Sequence, residues 1–239
     1  IFYRSPYIFL HGRFVAEEGA LYFANAYKYG FVYSFFFVDF TSGYLNLWAN
    51  ISGIIANIFI LKLAPLISNY LSLIPKLLIF YFILYKDSYL IDKFQYKLVF
   101  CLLILLSPFN VPEIWLNSIN SQLFFCILSF LVLFSKNDKK NIYYFNLLII
   151  LIAGFTGVYT CVLVPVFLFK YLKFKTSQDK YNLIILIFCT ISQFILVVFS
   201  KLSGALYEGK LHAVDINLIY NYVYNVPIKA FLGRNLTQF

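Results

Sequence analysis

Four short stretches hold the side chains best suited to chemistry. The first is Glu17-Glu18-Gly19. Paired carboxylates can supply a general base or hold a divalent cation. Adjacent helical residues point about 100° apart, so one acid can act on a substrate while the other makes a structural contact. The plainer reading is a solvated helix start with acids at the positive end of its dipole. The second stretch is Asp39 followed by Gly43-Tyr44-Leu45-Asn46. Its plainer reading is a loop entering an interfacial helix, with Tyr44 and Trp48 as belt aromatics. The third is Pro112-Glu113 with Asn117, Asn120 and Gln122, a carboxylate and three amides suited to a sugar or a phosphate. Helix capping by Asn117 or Ser118 is the alternative there. The fourth, Gly154-Phe155-Thr156-Gly157 with Tyr159, Thr160 and Pro165, reads first as helix packing or a kink. Gln193 reads as an amide facing a neighbouring helix. The sequence has no Gly-rich phosphate loop and no Ser-His-Asp set. Cys101, Cys126, Cys161 and Cys189 lie in apolar runs without a CxxC pair, and neither His11 nor His212 has metal-ligand spacing around it.

The elements that must position these residues are set by composition. Of 239 residues 62% are hydrophobic and 12% charged, against about 25% charged in a soluble domain. The apolar residues come in long runs, which points to a lipid bilayer as solvent. The net charge of +9 would raise nucleic acid as a partner, but the lysines sit in short tracts between apolar runs. Lys86, Lys93 and Lys97 form one group, Lys136, Lys139 and Lys140 a second, and Lys170, Lys173, Lys175 and Lys180 a third. Short basic loops mark the cytoplasmic side, so no nucleic-acid partner is expected.

The pattern predicts a short helix over 17–29 ending at Gly30 and a helix over 44–61 carrying Asn46, Asn50 and Asn57 on one stripe. Unpaired amides are costly in lipid, so that helix lies at the interface or packs its stripe against protein. Spans are expected at 66–85, at 98–109, at 119–135 and at 181–203, with 143–172 folded as two short segments turning near Gly154–Gly157. Lys76 should lie near protein or snorkel. Parity of the basic loops then leaves 1–65, the 110–118 loop and the tail from 204 outside. One face collects Glu17, Glu18, Asp39, Glu113, Glu208 and Asp215. The division is an external loop region (1–65), a transmembrane bundle (66–203) and an external segment (204–239), with chain expected beyond both ends.

The order of these pieces resembles bacterial multi-pass membrane proteins of the GT-C glycosyltransferase architecture. The matching pieces are Glu17-Glu18-Gly19, Tyr22, Gly30, Gly43 to Leu47, Pro112-Glu113 with Asn117 to Gln122, Thr156-Gly157 with Pro165, and Gln193. The resemblance covers roughly 11–200. Asn46 stands where a His is common, and Glu18 where Asp is more frequent. The resemblance implies an all-α, polytopic transmembrane helix bundle with an external loop and an interfacial helix. It implies a transferase in the bacterial inner membrane that takes a sugar from a polyprenyl-phosphate carrier at the external face. By carry-over, Glu18 or Glu17 is the base on the acceptor hydroxyl, while Asp39 and Glu113 assist or bind a divalent cation (Mg or Mn). Arg4 and Arg13 are the nearest cations for the leaving phosphate, and Tyr44, Asn46, Asn117, Asn120 and Gln122 line the substrate. The rival expectations are a transporter or flippase of a lipid-linked saccharide, against which the scarcity of mid-span charge counts, and a non-catalytic membrane subunit of an envelope assembly.

Overall fold

The computed structural model describes residues 6–85, 93–106, 114–135 and 140–205. Arg4, Glu113, Glu208, His212 and Asp215 lie outside the described residues. Within them the chain is all-helical: nine α-helices, no strand, and two isolated antiparallel bridges, Asp39 with Tyr44 and Asn46 with Thr156. The helices are α1 (Pro6–Leu10), α2 (Ala24–Phe35), α3 (Leu47–Ile58), α4 (Ala64–Tyr85), α5 (Phe94–Leu106), α6 (Ser121–Phe134), α7 (Lys140–Phe155), α8 (Val164–Phe174) and α9 (Ser177–Leu202).

The stretch expected as one helix over 17–29 is wound in three ways. A 3-10 turn (Ala16–Glu18) passes into a π-turn (Gly19–Phe23) and then into α2. Gly30, at φ 77°, interrupts the helix where its end was expected, but helical residues resume and run to Phe35. Turns of changed pitch rotate side chains off a regular helical stripe, so Glu17 and Glu18 take quite different surroundings. The stripe on α3 packs against protein. Asn50 Nδ2 donates to the carbonyls of Phe35 (3.2 Å) and Phe37 (2.8 Å), and Asn57 Nδ2 donates to that of Ala26 (3.2 Å). The amides thus tie α3 to α2, satisfying carbonyls beyond the break at Gly30 as well as before it.

The central core forms around α6, whose Leu128 and Val132 are fully enclosed. Ile79 and Phe82 of α4, Ile149 and Ile150 of α7, Phe167 of α8 and Leu186 of α9 join it. Ile8 of α1 and Trp48 of α3 pack into the same cluster, so the region 1–65 shares its core with the helices that follow. Trp115 stands between the Phe80 and Phe124 rings, with centroids 6.5 and 5.4 Å away.

Among the described residues two helices, α4 and α9, are long and apolar enough to cross a membrane. Both bury polar groups beside their core residues and leave large apolar side chains exposed. On α4, Ser68, Ser72 and Lys76 are buried while Tyr70, Ile74, Leu77 and Tyr81 are exposed. On α9, Asn182, Gln193 and Ser200 are buried while Ile184, Phe188, Ile191 and Ile195 are exposed. A water-soluble surface helix shows the reverse. The other expected spans are shorter: α5 has 13 residues and α6 has 14. The segment 143–172 does turn where expected. α7 ends at Phe155, Gly157 takes φ 83°, and α8 starts with a proline in its first turn, where the missing N–H is no loss.

The enclosed core makes a simple expectation. Leu128→Ala, at a side chain 0% exposed, should cost about 2–5 kcal/mol of unfolding free energy. Leu202→Ala, at 82% exposed, should stay within about 0.5 kcal/mol. Denaturant unfolding of both variants in one solubilising condition checks this.

Candidate functional site

The two acids of the first motif part company. Glu17 is exposed, while Glu18 is 2% exposed and surrounded by donors. Glu18 Oε2 accepts from the Val15 N–H at 2.9 Å, closing the turn from within. Its Oε1 accepts from the Ser118 N–H (2.6 Å), the Ser118 hydroxyl (2.6 Å) and the Ser68 hydroxyl (3.2 Å). Burial pushes this carboxyl above the usual carboxylate range, and the bonds from Ser118, Val15 and Ser68 pull the other way. One carboxylate therefore fastens the acidic turn, α4 and the segment before α6 together. Beside it, Ala16 is held at φ 53°, a left-handed conformation that costs a β-carbon residue about 1–2 kcal/mol.

Below Glu18 runs a buried polar seam. Asn69 Nδ2 donates to the carbonyls of Arg13 (3.1 Å) and Leu116 (2.8 Å), and its Oδ1 accepts from the Arg13 N–H (3.2 Å). Ser72 donates to the Trp115 carbonyl at 3.1 Å. Lys76, wholly enclosed, donates to the Ser72 carbonyl (2.6 Å) and the Ser121 hydroxyl (3.1 Å), with its ammonium 4.6 Å from the Phe124 ring centroid. A buried ammonium needs such partners for its donors. Ser68, Ser72 and Lys76 recur every fourth residue in an apolar run. That spacing is the sequence signal that could have revealed the seam.

A second cluster forms where 39–46 meets the end of α7. Asp39 accepts from the Thr41 N–H (3.0 Å) and from the hydroxyls of Thr41 (2.6 Å) and Ser42 (2.5 Å). Asn46 caps α3 by accepting from the Ala49 N–H (3.2 Å) and donates to the Ile119 carbonyl (3.1 Å). Asn117 accepts from the Ile119 N–H (2.8 Å), a turn bond ahead of α6 rather than the helix cap expected of Asn117 or Ser118. Asn120 stands at the N-cap of α6. Gln122 Nε2 donates to the Tyr44 hydroxyl at 3.4 Å. Gln193 holds both sides of residue 45: Oε1 accepts from the Leu45 N–H (3.0 Å) while Nε2 donates to the Leu45 carbonyl (2.9 Å) and the Gly154 carbonyl (3.3 Å). Tyr44 and Trp48 are half-buried, turned toward Gln122 and Phe125 rather than lying in an outer belt.

Asp39 lies across an isolated antiparallel bridge from Tyr44, and the Tyr22 and Tyr44 hydroxyls both feel the charges of Asp39 and Glu17. Burial first, then Tyr44, Asp39 and Glu17, hold the Tyr22 hydroxyl well above its ordinary range. Burial also raises that of Tyr44, opposed by the Gln122 bond. Arg13 is exposed, and its backbone, not its guanidinium, makes the bonds to Asn69. Among the described residues, no group of three or more His, Cys, Asp or Glu could hold a metal ion. The site thus offers one exposed carboxylate, one carboxylate bound in a turn, phenols and amides.

No protein-family model matches the chain, and no curated protein and no solved structure matches it.

The Leu45 clamp can be tested by two substitutions. Gln193→Leu strands the Leu45 amide, while the Leu45 carbonyl keeps the Gly157 N–H at 2.9 Å, and should cost about 1–3 kcal/mol. Gly157→Ala meets both φ 83° and the Gln122 Oε1, 1.9 Å from where the new Cβ would sit, and should cost at least about 2 kcal/mol. Thermal unfolding of the purified variants reads both effects.

Proposed function

We propose that the chain is a polytopic GT-C-type glycosyltransferase of the bacterial inner membrane, with residues 1–65 on the external face. Its donor is a sugar on a polyprenyl phosphate. The observation that carries the reading is the division of labour in the acidic pair. Glu18 is sealed by four donors, while Glu17, one residue away, is exposed. A general base must come within about 2.6–3.2 Å of the proton it takes, and of the two acids Glu17 is the one open to a substrate. The outward apolar faces of α4 and α9 support the membrane setting.

In this reading Glu17 accepts the proton of the acceptor hydroxyl. The freed oxygen attacks the anomeric carbon, and the bond from that carbon to the phosphate oxygen breaks. The polyprenyl phosphate leaves with the bonding pair. Arg13, exposed on the same loop, neutralises the departing phosphate. Glu18 is a positioning residue. Asp39, with both oxygens engaged by Thr41 and Ser42, shapes the turn that presents Tyr44. A second reading, a non-catalytic membrane subunit, is favoured by the satisfaction of Glu18 and Asp39 within the protein.

Transfer from a panel of polyprenyl-phosphate sugars, assayed with the full chain in native-like membranes, tests the proposal. Glu17→Gln should lower the rate by about a hundredfold or more while the protein stays folded. Equal rates for Glu17→Gln and the wild type would reject Glu17 as the base.

A further inference from the structure

At the end of the bundle formed by α8 and the start of α9 lies a cavity of about 600 Å³, within the size range of ligand sites. Its apolar walls are Leu133 and Phe134 at the end of α6 and Val166, Phe169 and Phe174 on α8. Its polar rim carries Lys170, Lys173 and Asp179. Lys170 and Asp179 are spoken for: they pair at 2.9 Å, Lys170 also donates to the Leu133 carbonyl, and Asp179 accepts from the Thr176 hydroxyl at 2.6 Å. Those contacts fix this part of the polar rim. Lys173, exposed at the rim, adds a positive charge that the Lys170–Asp179 pair does not offset. Lys175 and Lys180 flank the rim in sequence.

We propose that this cavity binds one anionic glycerophospholipid. Its phosphate sits at Lys173, and an acyl chain runs along Val166, Phe169 and Phe174. Charge complementarity chooses the occupant: apolar walls alone would accept any lipid, but a cationic rim above them selects an anionic headgroup. Basic pockets between helices at the cytoplasmic surface recognise such headgroups, and the lysine tract 170–180 is one that the sequence assigns to that surface. The inference rests on the membrane part of the proposed function and is independent of the transfer chemistry.

The test is native mass spectrometry of the full chain, released from nanodiscs of equimolar phosphatidylglycerol and phosphatidylcholine. The wild type should retain one phosphatidylglycerol in preference to phosphatidylcholine. Lys173→Gln should reduce that retention about fivefold or more, and Val166→Trp, which fills the apolar wall, should do the same without touching charge. Equal retention of the two lipids, or unchanged phosphatidylglycerol in both variants, overturns the site. So does a thermal stabilisation by inorganic phosphate alone that matches that by phosphatidylglycerol, since the site would then be one for a free anion. A chain that leaves the nanodisc for the aqueous phase contradicts the membrane reading itself. One that stays inserted without lipid preference contradicts only this inference.

Discussion

The Glu18 carboxylate is the contact on which the architecture of the acidic loop depends. It joins three segments far apart in sequence: the turn at Val15, α4 at Ser68 and the approach to α6 at Ser118. An ionised group taken out of water is costly unless its acceptor sites are filled, and here four donors fill them. The left-handed Ala16 and the 3-10 and π windings that follow are the local consequence. To bring Glu18 onto its donors, the chain must depart from regular α-helical winding. That same winding leaves Glu17 outward.

The polar seam continues this logic down α4. Asn69, Ser72 and Lys76 each satisfy a carbonyl, and Trp115 and Leu116 are held with their backbone against the helix. The opposite side of α4 is apolar and exposed. Such an arrangement is unfavourable in water but natural where the surroundings cannot hydrogen-bond, because every buried polar group then needs an internal partner. Gln193 plays the corresponding part on α9, and the Leu45 backbone is its counterpart.

Much of this was legible in the sequence where spacing carried the information. The amides at 46, 50 and 57 announced a stripe lying at the interface or packed against protein; Asn50 and Asn57 pack and each finds a carbonyl, while Asn46 caps the helix. The interruption at Gly154–Gly157 announced a turn. Gln193 announced an inward amide. What spacing could not convey was the contrast between Glu17 and Glu18, because it arises from contacts with Ser68 and Ser118, which lie 50 and 100 residues away. Nor could it show that Asn46 and Asn117 spend their side chains on the backbone around Ile119. An amide that caps a helix and one that faces a ligand look alike until the partner is known. Span lengths depart from the sequence reading in both directions: α4 and α9 run longer than the expected 66–85 and 181–203, while α6 is shorter than 119–135. Within the apolar run 143–172 the helix stops at Phe155 and resumes as α8, the division that Gly154–Gly157 announced.

The most direct measurement is hydrogen exchange of the full chain in a bilayer mimetic, comparing Glu18→Gln and Glu17→Gln with the wild type. In Glu18→Gln the introduced amide turns a donor toward donors, so this variant should lose protection in residues 15–23 and, together with them, in 115–121, while α8 and α9 keep theirs. Glu17→Gln should match the wild type throughout. Equal behaviour of the two variants, or loss in 15–23 with none in 115–121, would contradict the division of the acidic pair into a fastening residue and an open one.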